Sequence, residues 1–190
     1  MVPLLDLWLP TLLSAVFVFV VSSVVHMVVQ WHKNDMKKLP QEDQILATLR
    51  SHGLSAGMYM FPACGSMKDM GTPEMQAKLK QGPIGHLTLR PAGGFSMGPS
   101  LAQWFVLSLF ISACAGYVAG MVLGPGADTT TVFRLTATAA LLGYACSTLQ
   151  DSIWKAVPWS TSAKFVFDGL LYALATGGTF AWMWPAAAYV

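Results

Sequence analysis

Residues 7–30 contain no Asp, Glu, Lys or Arg, and three further stretches, 101–123, 131–150 and 162–184, carry at most two such residues each. A hydrocarbon core about 30 Å thick needs about 20 predominantly apolar residues wound as a helix, and backbone crossing it must satisfy its own hydrogen bonds. Four stretches of that length constrain a chain of 190 residues more than any motif in it. Composition agrees, with 54% hydrophobic and 11% charged residues where soluble domains carry about a quarter charged. The sequence therefore predicts an all-α integral membrane protein, a four-transmembrane-helix bundle with a small mixed α/β cytoplasmic insert between helices 1 and 2. The divisions fall at 1–31 for the first span, 32–99 for the insert and 100–190 for the remaining three spans. The first span resembles a signal peptide only superficially. It lacks a basic leading region, its apolar run is too long, and Lys33, Lys37 and Lys38 follow it, so it reads as an uncleaved anchor.

Positive charge sets the expected orientation. Eight of the 11 Lys and Arg lie between the first two spans (Lys33, Lys37, Lys38, Arg50, Lys68, Lys78, Lys80, Arg90), while Lys155 and Lys164 flank the third connection and Arg134 stands alone near the second. Basic loops stay in the cytoplasm, which puts the insert inside and both termini outside, in a bacterial inner membrane. Trp8, Trp182 and Trp184 then fall at the outer boundary and Trp31, Trp104, Trp154 and Trp159 at the inner one, where indole rings prefer to sit. A net charge of +2 gives no reason to expect a nucleic-acid partner. The partners expected are the lipid bilayer and either a second copy of the chain or other membrane-protein subunits.

Within the insert, "LPQEDQILATLRSHG" predicts a short helix with Ile45, Leu46 and Leu49 on one face and Gly53 as its stop. "TPEMQAKLKQG" predicts another, with Thr72 as N-cap, Pro73 at the first helical position and Gly82 past the end. "GMYMF" and "HLTLR" alternate as short strands do and are expected to pair into a two-stranded ribbon.

Two histidines bracket the place where the first span ends. His32 follows Trp31 and precedes a lysine run, the pattern of a solvated headgroup-level residue. His26 lies deeper, and with Ser22 and Gln30 it forms a polar stripe at i, i+4 and i+8, one face of a regular helix. The fourth stretch supplies partners at a matching depth: Lys164, Asp168, Tyr172 and Thr176 recur every four residues, and Asp168 is the only carboxylate well inside a span. A carboxylate there costs a few kcal/mol unless paired, so His26 or Lys164 is the expected partner. The candidate intramembrane polar cluster is thus His26, Gln30, Lys164 and Asp168.

Small residues mark close helix approach. Ser112, Gly116, Gly120 and Gly124 form one stripe, and Gly169, Ala173, Gly177 and Ala181 another, where backbones can touch within the bundle or at a seam between chains.

Chemistry-bearing motifs are sparse. Haem would need a second axial ligand from a facing helix, and no other span holds a histidine. Met58, Met60, Cys64, Met67 and Met70, with His52 and His86, offer soft ligands suited to Cu(I), but at no recognised spacing, and packing is the simpler use of methionine. No metal and no cofactor is expected. Cys64, Cys114 and Cys146 form neither a disulfide framework nor a zinc pattern and read as small buried residues. No HExxH, GxSxG, Walker A or GxGxxG pattern occurs.

"LGPGAD", "VFR", "SIWKAVPWS" and "DGLLYALATGGTF", within residues 99–185, resemble a group of uncharacterised bacterial four-span inner-membrane proteins. The resemblance implies the fold and transfers no activity. Function is expected to be that of a non-catalytic structural or accessory subunit or assembly factor. The alternative is a small transporter or proton-conducting protein built around the intramembrane His/Asp pair.

Overall fold

A computed structural model describes residues 1–94 and 96–187. It is 68% helical with one small two-stranded sheet, and it divides into two compact units, one of residues 1–36 and 96–190 and the other of residues 37–95.

The larger unit is a helix bundle. A 3₁₀ turn, Leu4–Leu7, leads into α1 (Trp8–Ser23), which continues as a π-helical turn, Val24–Val29. Three long helices follow after the smaller unit: α4 (Met97–Val122), α5 (Thr129–Lys155) and α6 (Trp159–Met183). Asp128 caps α5 by accepting from the Thr131 amide at 2.9 Å. Among the described residues, three helical stretches are long and apolar enough to cross a membrane: Leu4–Val29, Met97–Val122 and Thr129–Lys155. α6 has the length but not the same apolarity, and the reason lies in its packing. Thr161, Ser162, Asp168, Tyr172, Thr176 and Thr179 all face inward, so polar atoms that would be costly against lipid are enclosed by the other helices.

Both small-residue stripes are taken up inside the chain. A Cβ on Gly116 would stand 2.8 Å from the Phe180 ring, and one on Gly120 would collide with the Val2 carbonyl. On α6, Gly169 lies against Ala145 and Gly177 against Ala137 and Phe133, which is how α5 and α6 pack so closely. Ser112 and Ala173 are buried, and Gly124 approaches the Met1 backbone nitrogen. Cys114 and Cys146 are not buried, contrary to the sequence expectation: both are exposed on the outer surface of the bundle, where apolar character suits lipid as well as a core. Trp104 is half-buried and donates its indole N–H to Ser22 Oγ at 2.9 Å, tying α4 to α1.

The smaller unit holds α2 (Glu42–Ser51), β1 (Gly57–Phe61), α3 (Pro73–Gln81) and β2 (Gly85–Leu89). The strands pair antiparallel with Tyr59 opposite Leu87. Thr72 caps α3, its hydroxyl accepting from the Met75 amide.

Candidate functional site

The polar centre of the bundle is assembled at the end where α1 stops and α6 starts, and an irregular backbone builds it. Beyond Ser23 the helix widens into the π turn, closed by the Gln30 amide bonding back to the Val25 carbonyl at 2.9 Å. Gln30 itself adopts the left-handed conformation, φ 54°, which costs a non-glycine residue on the order of 1 kcal/mol. Turns then follow, with Lys33 N–H on the Gln30 carbonyl and Asp35 N–H on the His32 carbonyl. The chain therefore folds back on itself instead of leaving along the helix axis, and His26, His32 and Asp35 all face α6.

What they meet there is Asp168, 1% exposed. His32 Nε2 is 2.8 Å from Asp168 Oδ2, and His32 Nδ1 is 2.6 Å from Asp35 Oδ2. The ring thus presents one nitrogen to each of two carboxylates. His26 Nε2 stands 3.7 Å from the same Asp168 oxygen, and the two imidazoles lie side by side with ring centres 5.0 Å apart. Lys164 donates to Asp35 Oδ1 and, at 2.8 Å, to the Trp31 carbonyl. That ammonium holds the Asp35 carboxyl below the usual carboxylate range, with His32 adding to the effect and burial opposing it. Packing fixes the rings: His32 stacks on Phe165 with centres 4.4 Å apart, and Trp31 meets Phe167 edge to face. The remaining oxygen of Asp168, Oδ1, is buried with no hydrogen-bond partner among the described residues.

His26 and Asp168 are therefore brought together, while two of the sequence-predicted residues are placed otherwise. The Gln30 side chain is exposed and donates to the Met27 carbonyl, because the π turn rotates it off the Ser22–His26 face. Lys164 neutralises Asp35 rather than Asp168. The largest correction concerns His32, which is 12% exposed in its side chain and central to the cluster rather than solvated. Its signal in the sequence is Asp35, an acid three residues on within a basic run, the spacing that lets one turn carry both.

Beside the cluster lies a cavity of about 640 Å³ walled by all four long helices. Phe19, Leu107, Ile111, Tyr144 and Tyr172 give it an apolar body, and His26 and Asp168 give it a polar end. The rings of Trp104, Tyr144 and Tyr172 pack mutually at 5.5–6.0 Å between centres. The rim residues Met27, Met97, Leu101 and Phe165 are exposed, so the cavity opens at the side of the bundle.

The soft-ligand set of the smaller unit is spread along its ribbon and loop. Met60 is opposite His86 in the strand register, Cys64 Sγ approaches Met70 Sδ at 3.1 Å, and Met67 is exposed.

A scan against protein-family models, a search of curated proteins and a search of solved structures each returned no match.

Proposed function

We propose that the chain is a four-span protein of a bacterial inner membrane, with residues 32–99 in the cytoplasm, and that it binds a small amphipathic molecule inside the bundle. The observation that carries this reading is the side-opening cavity with its ionisable end. Ligand sites are typically about 300–1,000 Å³, mostly apolar, with a few convergent polar groups, and ionisable side chains within a membrane bundle are functional candidates by default. The apolar body of the ligand lies against Phe19, Leu107 and Ile111, and its polar head meets His26 and Asp168. Placing α6 as a fourth span is supported by its 25 residues and by the inward direction of its polar groups.

Two features favour binding over the other roles the sequence allows. At the opposite end of the bundle Val2, Leu7, Val132 and Phe180 close into an apolar plug, which weighs against a continuous proton path. Both glycine stripes are occupied by neighbours within the chain, which removes the main sequence argument for a seam with another subunit.

The test is mass spectrometry of small molecules retained by protein purified from its own membrane in mild detergent. A stoichiometric amphipathic compound is expected with the native chain and should be lost from Ser147→Phe, which fills the cavity from an exposed wall position, with little change in melting temperature. Native protein that retains nothing, or a variant that retains the same compound, overturns the reading. A periplasm-active reporter after residue 187 should be active and one at Gly71 silent.

A further inference from the structure

We propose that His26, His32 and Asp168 form a binding site for a single divalent first-row transition ion, with its open coordination position facing the cavity. One ligand atom from each residue lies within 4.8 Å of the other two. Bonds of about 2.0–2.1 Å to one ion place neighbouring donors about 2.9–3.4 Å apart, depending on geometry. The separations of 2.8 Å from His32 Nε2 to Asp168 and 3.7 Å from His26 Nε2 to Asp168 bracket that range, and the two imidazoles, with ligand atoms within 4.8 Å of each other, would draw together around the ion, His26 moving on its exposed side.

Three further observations fit an ion better than a plain salt bridge. Asp168 Oδ1 is buried without a partner among the described residues, a costly arrangement unless a second ligand claims the carboxylate. His32 presents Nε2 to the cluster while Nδ1 is held by Asp35, and Asp35 is fixed in turn by Lys164. That carboxylate–imidazole pairing is the support that metal-bound histidines normally have, and it orients the ring and raises its basicity. His26, 42% exposed in its side chain, closes the set from the cavity wall and leaves room beyond it for water or a ligand atom. Two imidazoles and one carboxylate suit Zn²⁺, Fe²⁺, Mn²⁺ or Co²⁺ rather than Cu(I), which prefers sulfur, or Ca²⁺ and Mg²⁺, which prefer oxygen.

The inference goes beyond the cavity reading and stands or falls separately. The experiment is calorimetric titration of the detergent-solubilised full chain with Zn²⁺, followed by the visible spectrum of the Co²⁺ form. One ion per chain is expected, with a Co²⁺ spectrum free of thiolate charge transfer. His26→Gln, at a partly exposed position that folding tolerates, should weaken affinity at least 100-fold, and Asp35→Asn, outside the ligand set, about 10–100-fold. No binding by the native chain overturns the proposal. So does binding that survives both His26→Gln and His32→Gln, since the ion is then elsewhere, as on the sulfur groups of the smaller unit. A retained amphipathic compound without metal binding leaves the cavity reading intact and removes only this site.

Discussion

The two ends of the bundle solve opposite problems. At one end Leu7, Val132 and Phe180 are wholly buried, with Phe180 and Leu7 against Gly116, and the Val2 amide bonds directly to the Gly120 carbonyl at 2.9 Å. At the other end the helices part around a cavity, and two carboxylates, an ammonium and two imidazoles stand in their place. Lipid is as apolar as leucine, so neither end is held by expulsion of hydrocarbon from water. The dry end is held by dispersion between closely fitted surfaces, and the polar end by ion pairs and hydrogen bonds gathered around Asp35 and the buried Asp168.

The largest effect should come from the dry end. Phe180→Ala removes a fully buried ring from a tight fit and should cost about 3–5 kcal/mol, read as a fall in melting temperature in detergent. A loss below 1 kcal/mol would mean that the plug is loosely packed and that the contrast between the ends is overstated.

Next comes the coupling inside the cluster. In double-mutant cycles with Asp168→Asn, His32→Ala should show an interaction energy of about 1–3 kcal/mol and His26→Ala a smaller one, because one imidazole is within hydrogen-bond distance and the other is not. The reverse order would make His26 the main counter-ion of Asp168.

That ranking shows what the sequence could and could not reveal. The apolar stretches were legible because lipid imposes a length and a composition, and the depth match between His26 and Asp168 followed from counting turns. His32 was hidden because the counting assumed a regular helix. The π turn over Val24–Val29 and the left-handed Gln30 break that regularity, and nothing in a run of valines announces them. α6 illustrates the converse: Asp168, Tyr172 and Thr176 recur every four residues and are all buried, and that polar face lowers the apolarity of the helix while its packing encloses it among the others. Cys114 and Cys146 fail for a simpler reason, since in a membrane bundle apolar character does not distinguish inside from outside.

A smaller effect tests the outer layer of the polar end. The Asp35 carboxyl is held low, so its stabilising contribution is complete above the unfolded value of about 3.9 and is lost as pH falls through its lower folded value. Melting temperature should drop on acidification below about pH 4, and less so in Asp35→Asn, which has already forfeited that contribution. Identical pH profiles for the two proteins would detach Asp35 from the cluster's stability.

The smallest effect is expected at Gln30. Glycine adopts its left-handed backbone without a Cβ penalty, so Gln30→Gly should be neutral or stabilising by up to about 1 kcal/mol. A marked loss would mean that its amide side chain does more than reach the Met27 carbonyl.

The π turn also determines which kinds of change this part of the chain tolerates. It accommodates one residue more than a regular helix would need over the same rise. Deleting any one of residues 24–29 would therefore restore ordinary helical bonding. Everything downstream would then keep about its present phase and rise, because the extra residue is taken up within the turn itself, and His32 and Asp35 would stay near Asp168 and Lys164. Val28 and Val29 are exposed and open to exchange for other apolar residues. A one-residue deletion within this turn should therefore be better tolerated than one within the regular turns of α1, which would re-phase His26 and His32 by about 100°.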